Sequence, residues 1–336
     1  MSDTNFPNKK EEDGIEIITL DNKEEDSVNT ESSSTSVETN SATVESASTP
    51  VENDSAPSNE ETPSDKDEKK PLPKNELIRY IILGICIVVF IVSAAILVNY
   101  FIRQYKEKKA YKDLESTAVS HQDATTEFVD EESSEYVLNI SNQIDFELLS
   151  SINEDFRGWV SFPLLGIEYP FVQGPDNDYY LTHSYNGEEA YGGAIYMEAT
   201  LNPNFQESHV ILYGHNMTSI DGSMFSGLLK YDDEKFYNDN KGEHLVYIYL
   251  PDNTVRVYEP FSVTDATLIE HEPLFYIRLN STAEYADYAS TIELYDTGID
   301  ITDDDQILTL FTCQYGGNNN ERHMVHCRLV TVVNNE

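Results

Sequence analysis

Short apolar runs separated by turn-forming residues dominate the C-terminal part of this 336-residue chain, from about residue 140 onward. Eight runs have the length and the β-branched or aromatic content of strands: GWVSFP, GIEYPFVQG, YGGAIYME, HVILYGH, HLVYIYLPDN, TVRVYEPFSVTDAT, QILTLFTC and HMVHCRLVTVV. Gly, Pro, Asn and Asp lie between them. Short strands at regular intervals predict an antiparallel β-barrel or sandwich.

Three segments of the same region have helical spacing instead. In QIDFELLSSINEDF the apolar positions Ile144, Phe146, Leu149 and Ile152 predict a helix. Either Asn153 or Asp155 is expected to end it. FSGLLKYDDEKFYND and STAEYADYASTIELY show the same spacing. We therefore expect a mainly β domain over residues 140–336 with a few peripheral helices, and its roughly 195 residues are enough for one core.

A long apolar segment at residues 77–102 reads LIRYIILGICIVVFIVSAAILVNYFI, and Ile81–Val98 is an uncharged run of 18 residues. This length suffices to span a bilayer, and Tyr80 and Tyr100 stand where interfacial aromatic residues are expected. The segment begins too late, and its apolar run is too long, for a cleavable signal peptide. It predicts a single transmembrane helix; the alternative is a buried core helix. Lys and Arg are equally frequent on both flanks, so the positive-inside rule leaves the orientation open.

The formal net charge of the chain is -40. Residues 1–76 contain 20 Asp and Glu against 7 Lys, and Ser, Thr and Asn are abundant in them. Such a segment buries too little apolar surface to fold alone, so we predict a disordered acidic tail; its GIEIITL patch is either a binding stretch or a chance cluster. Residues 103–139 are charged and predict a helical or flexible stalk. The acidic balance argues against a nucleic-acid partner.

Three side chains at strand ends are candidates for chemistry. Cys313 ends the run ILTLFTC directly before a glycine turn, and His215 follows the run VILY and Gly214. Arg322 begins the last apolar run. A thiol nucleophile needs a proton-transfer partner, and acyl transfer needs a group that stabilises the oxyanion. The residue types also permit a core cysteine, a solvated histidine and a surface arginine.

The C-terminal region resembles the sortase family of Gram-positive cell-surface transpeptidases, and class B most closely. The resemblance extends from about Ile152 to Val333 and rests on INEDFRGWV, IEYPFVQGPDNDYYLTHSYNG, GGAIYME, ILYGHNMTSIDGSMFSGLLKY and ILTLFTC. It implies an eight-stranded sortase β-barrel. It also implies that Cys313 is the nucleophile, that His215 is the general acid and base, and that Arg322 stabilises the oxyanion. Arg328 is the second candidate for the arginine.

The same resemblance implies a substrate groove at Asn177, Leu181, Tyr213, Tyr276 and Ile277. The expected substrates are surface proteins with a C-terminal sorting signal of the Asn-Pro-x-Thr type. The acyl group would pass through a thioacyl enzyme to a cell-wall or pilin amine. The family acts outside the cell membrane, which implies a cytoplasmic N-terminus and an extracellular catalytic domain. Neither a metal nor an organic cofactor is expected.

Two features depart from the class B pattern. Phe311 stands where a small residue often precedes the cysteine, so it could narrow the groove. The run MEATLN replaces a more usual segment that contains Asp. The first departure bears on which sorting signal fits the groove.

A zinc site is one alternative to the thiol enzyme. His323, His326 and Cys327 lie close together in the sequence, and Cys313 would be the fourth ligand. On a strand, however, the two histidines point to opposite faces. The four ligands would therefore converge only if the strand broke.

Two further alternatives concern the role of Cys313. The protein could be a non-enzymatic membrane-anchored surface module in which Cys313 pairs with Cys327 in a disulfide; the remaining cysteine, Cys86, lies in the predicted membrane helix. It could also be a hydrolytic, papain-like cysteine protease, although the cysteine signature of that family is absent. Dependence of product formation on an added amine would separate a transpeptidase from a protease.

Overall fold

The computed structural model describes residues 7–12, 15–20, 74–121, 125–129, 135–140, 142–218, 220–313 and 320–334. In the acidic tail, Pro7–Glu12 (β1) and Ile15–Leu20 (β2) pair as an antiparallel hairpin, and the GIEIITL patch supplies β2. The other residues before Lys74 lie outside the described part. The predicted disorder of the tail therefore stays a prediction.

The predicted membrane segment is the first part of a longer helix, Lys74–Ala118 (α1). Its large apolar side chains between Ile78 and Ile102 are exposed. A helix that is apolar all round needs a protein core or a membrane around it. Among the described residues, α1 is the one helix that is long and apolar enough to cross a membrane. The helix is divided between two compact units: its residues up to Ile96 belong to one, and those from Leu97 onward belong to the C-terminal unit.

Eight strands close into a barrel in the order β10-β13-β14-β12-β11-β7-β8-β9. Their bounds are Phe156–Phe162 (β7), Ile167–Val172 (β8), Ile195–Met197 (β9), His209–Tyr213 (β10), Val246–Tyr249 (β11), Thr254–Thr267 (β12), Ile307–Cys313 (β13) and Glu321–Asn334 (β14). Each of the eight predicted runs supplies one strand, so the predicted eight-stranded barrel is confirmed. Most pairs are antiparallel, but β10 pairs with β13 and β8 pairs with β9 in parallel.

Short elements surround the barrel. The small strands are Val119–His121 (β3), Thr125–Val129 (β4), Glu135–Asn139 (β5) and Asn142–Ile144 (β6). The helices are Phe146–Ile152 (α2), Glu234–Asp239 (α3) and Thr282–Ser290 (α4), and 3-10 helices span Pro163–Leu165, Tyr179–Leu181, Phe225–Asp232 and Glu272–Phe275. All three segments predicted from helical spacing contain helix, and Asn153, one of the two expected residues, ends α2.

The core fills the barrel and continues beneath the peripheral helices. All five residues of β10 are buried, as are six of the seven in β13. Burial on both faces of these strands requires a cover outside the barrel, and this explains their continuous apolar runs. On that side, the ring of Tyr285 in α4 lies 4.9 Å from His209, and the ring of Phe275 lies 5.9 Å from Phe311.

The end of α1 packs against the barrel domain. Tyr111 is only 7% exposed, and its ring lies 5.3 Å from Tyr169 and 4.9 Å from Tyr185. Its hydroxyl donates to the carbonyl of Gly193 at 3.0 Å. One turn earlier in α1, the carboxylate of Glu107 accepts a hydrogen bond from the backbone N–H of Gly192 at 2.9 Å. The predicted stalk is therefore helical up to Ala118, and its last turns are part of the folded C-terminal unit.

We expect Tyr111→Ala to reduce the free energy of unfolding of a fragment that starts at Leu97 by about 3–5 kcal/mol, the usual cost of truncating a buried aromatic side chain. Tyr111→Phe keeps the ring but loses two hydrogen bonds of the hydroxyl, the one donated to Gly193 and the one accepted from Ser184. It should therefore cost about 1–2 kcal/mol. Urea unfolding followed by circular dichroism measures both values.

The matched control for this test is Tyr105→Ala. Tyr105 lies on the same helix and is 70% exposed, so its removal should change stability by less than about 0.5 kcal/mol. Equal effects at the two positions would show that α1 is a free stalk in solution.

Candidate active site

The pairing of β13 with β14 brings Cys313 and Arg322 together. The two residues are direct partners across the antiparallel pair, so their side chains leave the same face of the sheet with Cβ atoms about 5 Å apart. Arg322 is fully buried, and Cys313 is partly buried. Burial raises the pKa of the Cys313 thiol above its usual 9.0, and the positive charge of Arg322 opposes that rise.

The parallel pairing of β10 with β13 places His215 next to Cys313. Tyr213 is the register partner of Phe311, and each candidate follows two residues later on its strand. The backbone N–H of Gly214 donates to the carbonyl of Phe311 at 3.1 Å, which continues the pairing beyond β10. His215, Cys313 and Arg322 therefore occupy neighbouring positions at one level of three adjacent strands, whose axes are about 4.8 Å apart.

Two polar contacts fix the ring and the loop of His215. Its Nε2 lies 2.8 Å from the carbonyl oxygen of Leu181. A carbonyl only accepts, so Nε2 carries the proton and Nδ1 is the basic nitrogen of the neutral ring. The next residue, Asn216, donates from its side chain to the carbonyl of Cys313 at 2.9 Å. Burial lowers the pKa of His215 below its usual 6.5, and the bond to Leu181 partly opposes this effect.

The YGHNM and MF motifs hold this loop in place. The carbonyl of His215 accepts from the N–H of Phe225 at 3.1 Å, and the N–H of Met217 donates to the Ser226 hydroxyl at 2.6 Å. A Cβ at Gly214 would lie 2.5 Å from the Ile195 side chain and 2.7 Å from the Phe225 ring. Only glycine fits between these side chains, so the residue before the histidine is constrained by packing.

Contacts among the described residues connect three of the five predicted groove residues to this site, namely Asn177, Leu181 and Tyr213. Leu181 supplies the carbonyl that binds His215. Asn177 and Tyr213 both donate to the carboxylate of Glu198, at 2.6 and 2.9 Å. Tyr276 and Ile277 follow the 3-10 helix Glu272–Phe275. The ring of Phe275, the last residue of this helix, contacts the ring of Phe311. Of these five side chains, Tyr213 and Ile277 are buried and the other three are partly exposed.

Glu198 is the polar residue of this region that the sequence analysis left without a role. It is fully buried, directly after β9, and accepts hydrogen bonds from Asn177, Tyr213 and Thr200. The signal for it in the sequence is one acidic residue at the end of the apolar run GGAIYME.

Arg328, the second candidate for the arginine, lies far from the thiol. It is the register partner of Ile307 at the opposite end of β13, and it forms an ion pair with Glu259 at 2.5 Å. A strand rises about 3.3 Å per residue, which separates Arg328 from Arg322 by roughly 20 Å along β14. The geometry therefore favours Arg322 over Arg328.

The disulfide alternative is wrong. Cys313 and Cys327 are both free thiols. Cys327 is the register partner of Leu308, five residues from Cys313, or roughly 16 Å at 3.3 Å per residue. A disulfide needs Cα atoms within about 7 Å of each other.

The zinc alternative is also wrong for the four ligands proposed. His323 contacts Asp265 at 2.9 Å, whereas His326 contacts the hydroxyls of Thr264 and Thr309 at 3.1 and 3.0 Å. The two histidines therefore face different surroundings from opposite sides of β14. In the described part of the chain, His323 has two carboxylates as neighbours, those of Asp232 and Asp265, and neither was among the expected ligands.

Comparisons with known proteins point to one family. The family model described as the sortase domain matches residues 160–330. Sortase B of Listeria monocytogenes is 33% identical over 182 residues, which are 52% of this chain and 70% of that protein. The crystal structure of sortase B from Clostridium perfringens is similar with a TM-score of 0.50 and 31% identity, over 55% of this chain and 99% of the other. The crystal structure of sortase B from B. anthracis in complex with AAEK1 has a TM-score of 0.52 and 28% identity, over 69% of this chain and 99% of the other.

We expect Gly214→Ala to displace His215 and to reduce the free energy of unfolding by about 1–3 kcal/mol, because the added methyl group overpacks a filled site. Exposure of the ring should raise the pKa of His215 towards 6.5, since burial is what lowers it. NMR titration of the histidine ring resonances measures the shift.

Gly222→Ala provides the comparison for this variant. Gly222 has a φ of +71° and no heavy atom within 4 Å of an added Cβ. Its replacement strains the backbone without touching the site, so the pKa of His215 should not change. A His215 titration that is identical in all three proteins would contradict the packing argument.

Proposed function

The chain belongs to the sortase family, and from this premise we propose that Cys313, His215 and Arg322 are its catalytic residues. The chain is accordingly a class B-type cysteine transpeptidase. The observation that carries the residue assignment is the strand register, which puts the three side chains at one level of β10, β13 and β14.

The first half of the proposed reaction forms an acyl enzyme. The Cys313 thiolate attacks the threonine carbonyl of an Asn-Pro-x-Thr sorting signal, and a carbon–sulfur bond forms. Arg322 stabilises the oxyanion through its planar, two-pronged donor group. The protonated His215 gives its proton to the leaving amine as the carbon–nitrogen bond breaks, so a thioester and a free amine result.

The second half transfers the acyl group. An amine of a cell-wall precursor or of a pilin subunit attacks the thioester, and its proton passes to His215. The new carbon–nitrogen bond forms as the carbon–sulfur bond breaks, which regenerates the thiolate. Arg322 is already in place for the second oxyanion, because it is fixed by the barrel and needs no movement.

We assign substrate contacts to Asn177, Leu181, Tyr213, Tyr276 and Ile277. Leu181 and Tyr213 are supported by their contacts with His215 and Phe311. Asn177 is supported by the carboxylate of Glu198, which it shares with Tyr213. Tyr276 and Ile277 directly follow Phe275, whose ring contacts Phe311. Phe311 itself is packed between Tyr213 and Phe275, with ring centroids 5.0 and 5.9 Å away. It therefore forms part of the fixed wall beside Cys313.

The proposed arrangement in the membrane follows from the reaction. The substrates are surface proteins and the acceptors are cell-wall or pilin amines, so the domain after α1 acts outside the cell. The apolar segment at residues 77–102 then serves as a signal anchor, residues 103–139 connect it to the catalytic domain at 140–336, and the acidic residues 1–76 lie in the cytoplasm.

The test of this function is a fluorogenic library of Asn-Pro-x-Thr peptides, supplied to the full chain in detergent with and without an added amine. We expect transpeptidation product that depends on the amine and disappears in Cys313→Ala. Cys327→Ala should retain turnover, because Cys327 lies five positions from the site. Cleavage at the same rate with and without the amine would identify a hydrolytic protease. Turnover by Cys313→Ala would refute the assignment of Cys313 as the nucleophile.

Arg322→Lys should lower kcat by roughly 100- to 1000-fold, the usual loss for one oxyanion donor. The substitution keeps the positive charge but removes the fork that a bidentate contact needs. Arg328→Lys on the same strand is the matched control and should stay within about twofold of the unmodified enzyme. Equal losses in the two variants would show that charge on β14, and not an oxyanion contact, matters.

The pH dependence of kcat/KM follows from the two pKa shifts. Burial lowers the pKa of His215 below 6.5 and raises that of Cys313 above 9.0. The active form, thiolate with imidazolium, has the same proton count as the neutral pair, so its fraction is constant between the two pKa values. We expect a flat maximum from below pH 6.5 to above pH 9, measured from pH 5 to 10. A narrow maximum near pH 7.5 would contradict the shifts.

A further inference from the structure

Glu198 has an unusual position for a carboxylate. It is fully buried directly after β9, and its backbone N–H binds the carbonyl of Ile211 in β10 at 3.1 Å. An ionised carboxylate is buried in a protein only with strong polar partners. Two of its three partner residues, Asn177 and Tyr213, are assigned above to the substrate groove, so its burial is tied to the site.

Four donors surround this carboxylate. Its Oε2 accepts from the side-chain amide of Asn177 at 2.6 Å and from the hydroxyl of Tyr213 at 2.9 Å. Its Oε1 accepts from the backbone N–H of Thr200 at 3.2 Å and from the Thr200 hydroxyl at 3.1 Å. A carboxylate accepts and does not donate. All four donor groups, which belong to three residues, therefore point a hydrogen at it.

The orientation of the Asn177 amide follows from this constraint. Its nitrogen faces Glu198, and its oxygen accepts from the N–H of Ala199 at 2.9 Å. With its nitrogen turned towards Glu198 and its oxygen towards Ala199, the amide has a second hydrogen that it can donate to a ligand. Asn177 is partly exposed, so a ligand can reach it.

We infer that Glu198 is a positioning residue that sets the polarity of the substrate groove, by holding Asn177 as a hydrogen-bond donor towards a carbonyl or amide oxygen of the peptide substrate. This inference rests on the proposed function. Glu198 does not touch the reacting atoms; it acts through Asn177, and Tyr213 is held by the same oxygen. The guanidinium of Arg278 donates a hydrogen bond to the carbonyl of Thr200 at 2.9 Å. This bond links the segment from Glu198 to Thr200 with the segment that contains Tyr276 and Ile277.

The decisive variants are Glu198→Gln and the double variant that combines Asn177→Asp with Glu198→Gln. In the single variant, the glutamine has one accepting oxygen where Glu198 had two, so only one of the two donor pairs keeps its acceptor. The orientation of the Asn177 amide is then no longer fixed by a carboxylate. In the double variant, the glutamine NH2 can donate to the carboxylate introduced at position 177, and that carboxylate still accepts from the N–H of Ala199. The internal hydrogen bonds are then restored with the opposite polarity towards the groove.

The measurements use the full chain in detergent and the Asn-Pro-x-Thr peptide with the highest turnover. We expect Glu198→Gln to raise KM about tenfold, the factor for one lost neutral hydrogen bond, with kcat within about twofold. The rate of Cys313 alkylation by iodoacetamide, followed by mass spectrometry, should be unchanged. The double variant should recover thermal stability but not KM, because its groove offers an acceptor where the substrate needs a donor.

Glu168→Gln is the matched control. Glu168 lies on β8, is partly buried, and accepts from the side chains of Trp159 and Ser161 on the neighbouring strand β7. Loss of stability without a change in KM is expected there. If Glu198→Gln does not fold, Asn177→Ala tests the same contact from its exposed side, and the same rise in KM with unchanged kcat is expected.

Three outcomes would overturn the inference. An unchanged KM in Glu198→Gln or Asn177→Ala, in an enzyme that still depends on Cys313, refutes the role of Glu198 alone. Full recovery of KM in the double variant shows a purely structural role. Absence of turnover by the unmodified chain, or turnover by Cys313→Ala, refutes the proposed function together with the inference built on it.

Discussion

The register of three neighbouring strands determines where every candidate group lies. Parallel pairing of β10 with β13 makes both strands end at one edge of the barrel, and antiparallel β14 begins at that same edge. His215, Cys313 and Arg322 come level only in this register. A slip of one residue in any of the three would turn a side chain to the opposite face. The bonds from Gly214 to Phe311 and from Asn216 to Cys313 extend the pairing past the end of β10 and secure it.

Burial gives this edge its electrostatic character. Arg322 carries a charge at a fully buried position, and burial lowers its pKa although a guanidinium stays protonated. The same burial disfavours the thiolate of Cys313 and the imidazolium of His215. The resting pair is therefore neutral beside a fixed cation. In the proposed reaction, the negative charge of the oxyanion would form next to this cation, where water screens little, so the contact would be strongest at that moment.

The sequence predicted which segments form strands, but it did not predict which strands pair with each other. The eight strands follow from apolar runs between turn residues, because each run reports only on its own burial. The placement of β10 beside β13 joins residues almost 100 positions apart, and no local pattern contains it. The alternation of side chains along a strand alone argued against the zinc alternative: His323 and His326 are close in sequence but lie on opposite faces of β14. Glu198 was passed over because its partner Asn177 lies 21 residues away.

The packing of the end of α1 against the barrel domain was not predicted, although the sequence contains a pattern that indicates it. Tyr111, Leu114 and Ala118 recur at helical spacing within a charged segment, and all three are buried. In this part of the helix, the hydroxyl of Tyr111 binds the carbonyl of Gly193. Gly193 has a φ of +58°, and a Cβ at this position would clash with the carbonyl oxygens of Tyr180 and Leu181.

Leu181 in turn holds the ring of His215. The helix that leaves the apolar segment therefore supports, through one glycine turn, the carbonyl that orients the imidazole. Residues 97–118 belong to the same compact unit as the barrel. A fragment that begins at residue 140 would remove this support and leave Tyr169 and Tyr185 without the ring that covers them. The physical boundary of the enzyme is consequently the point where α1 becomes charged, and not the point where the composition turns globular.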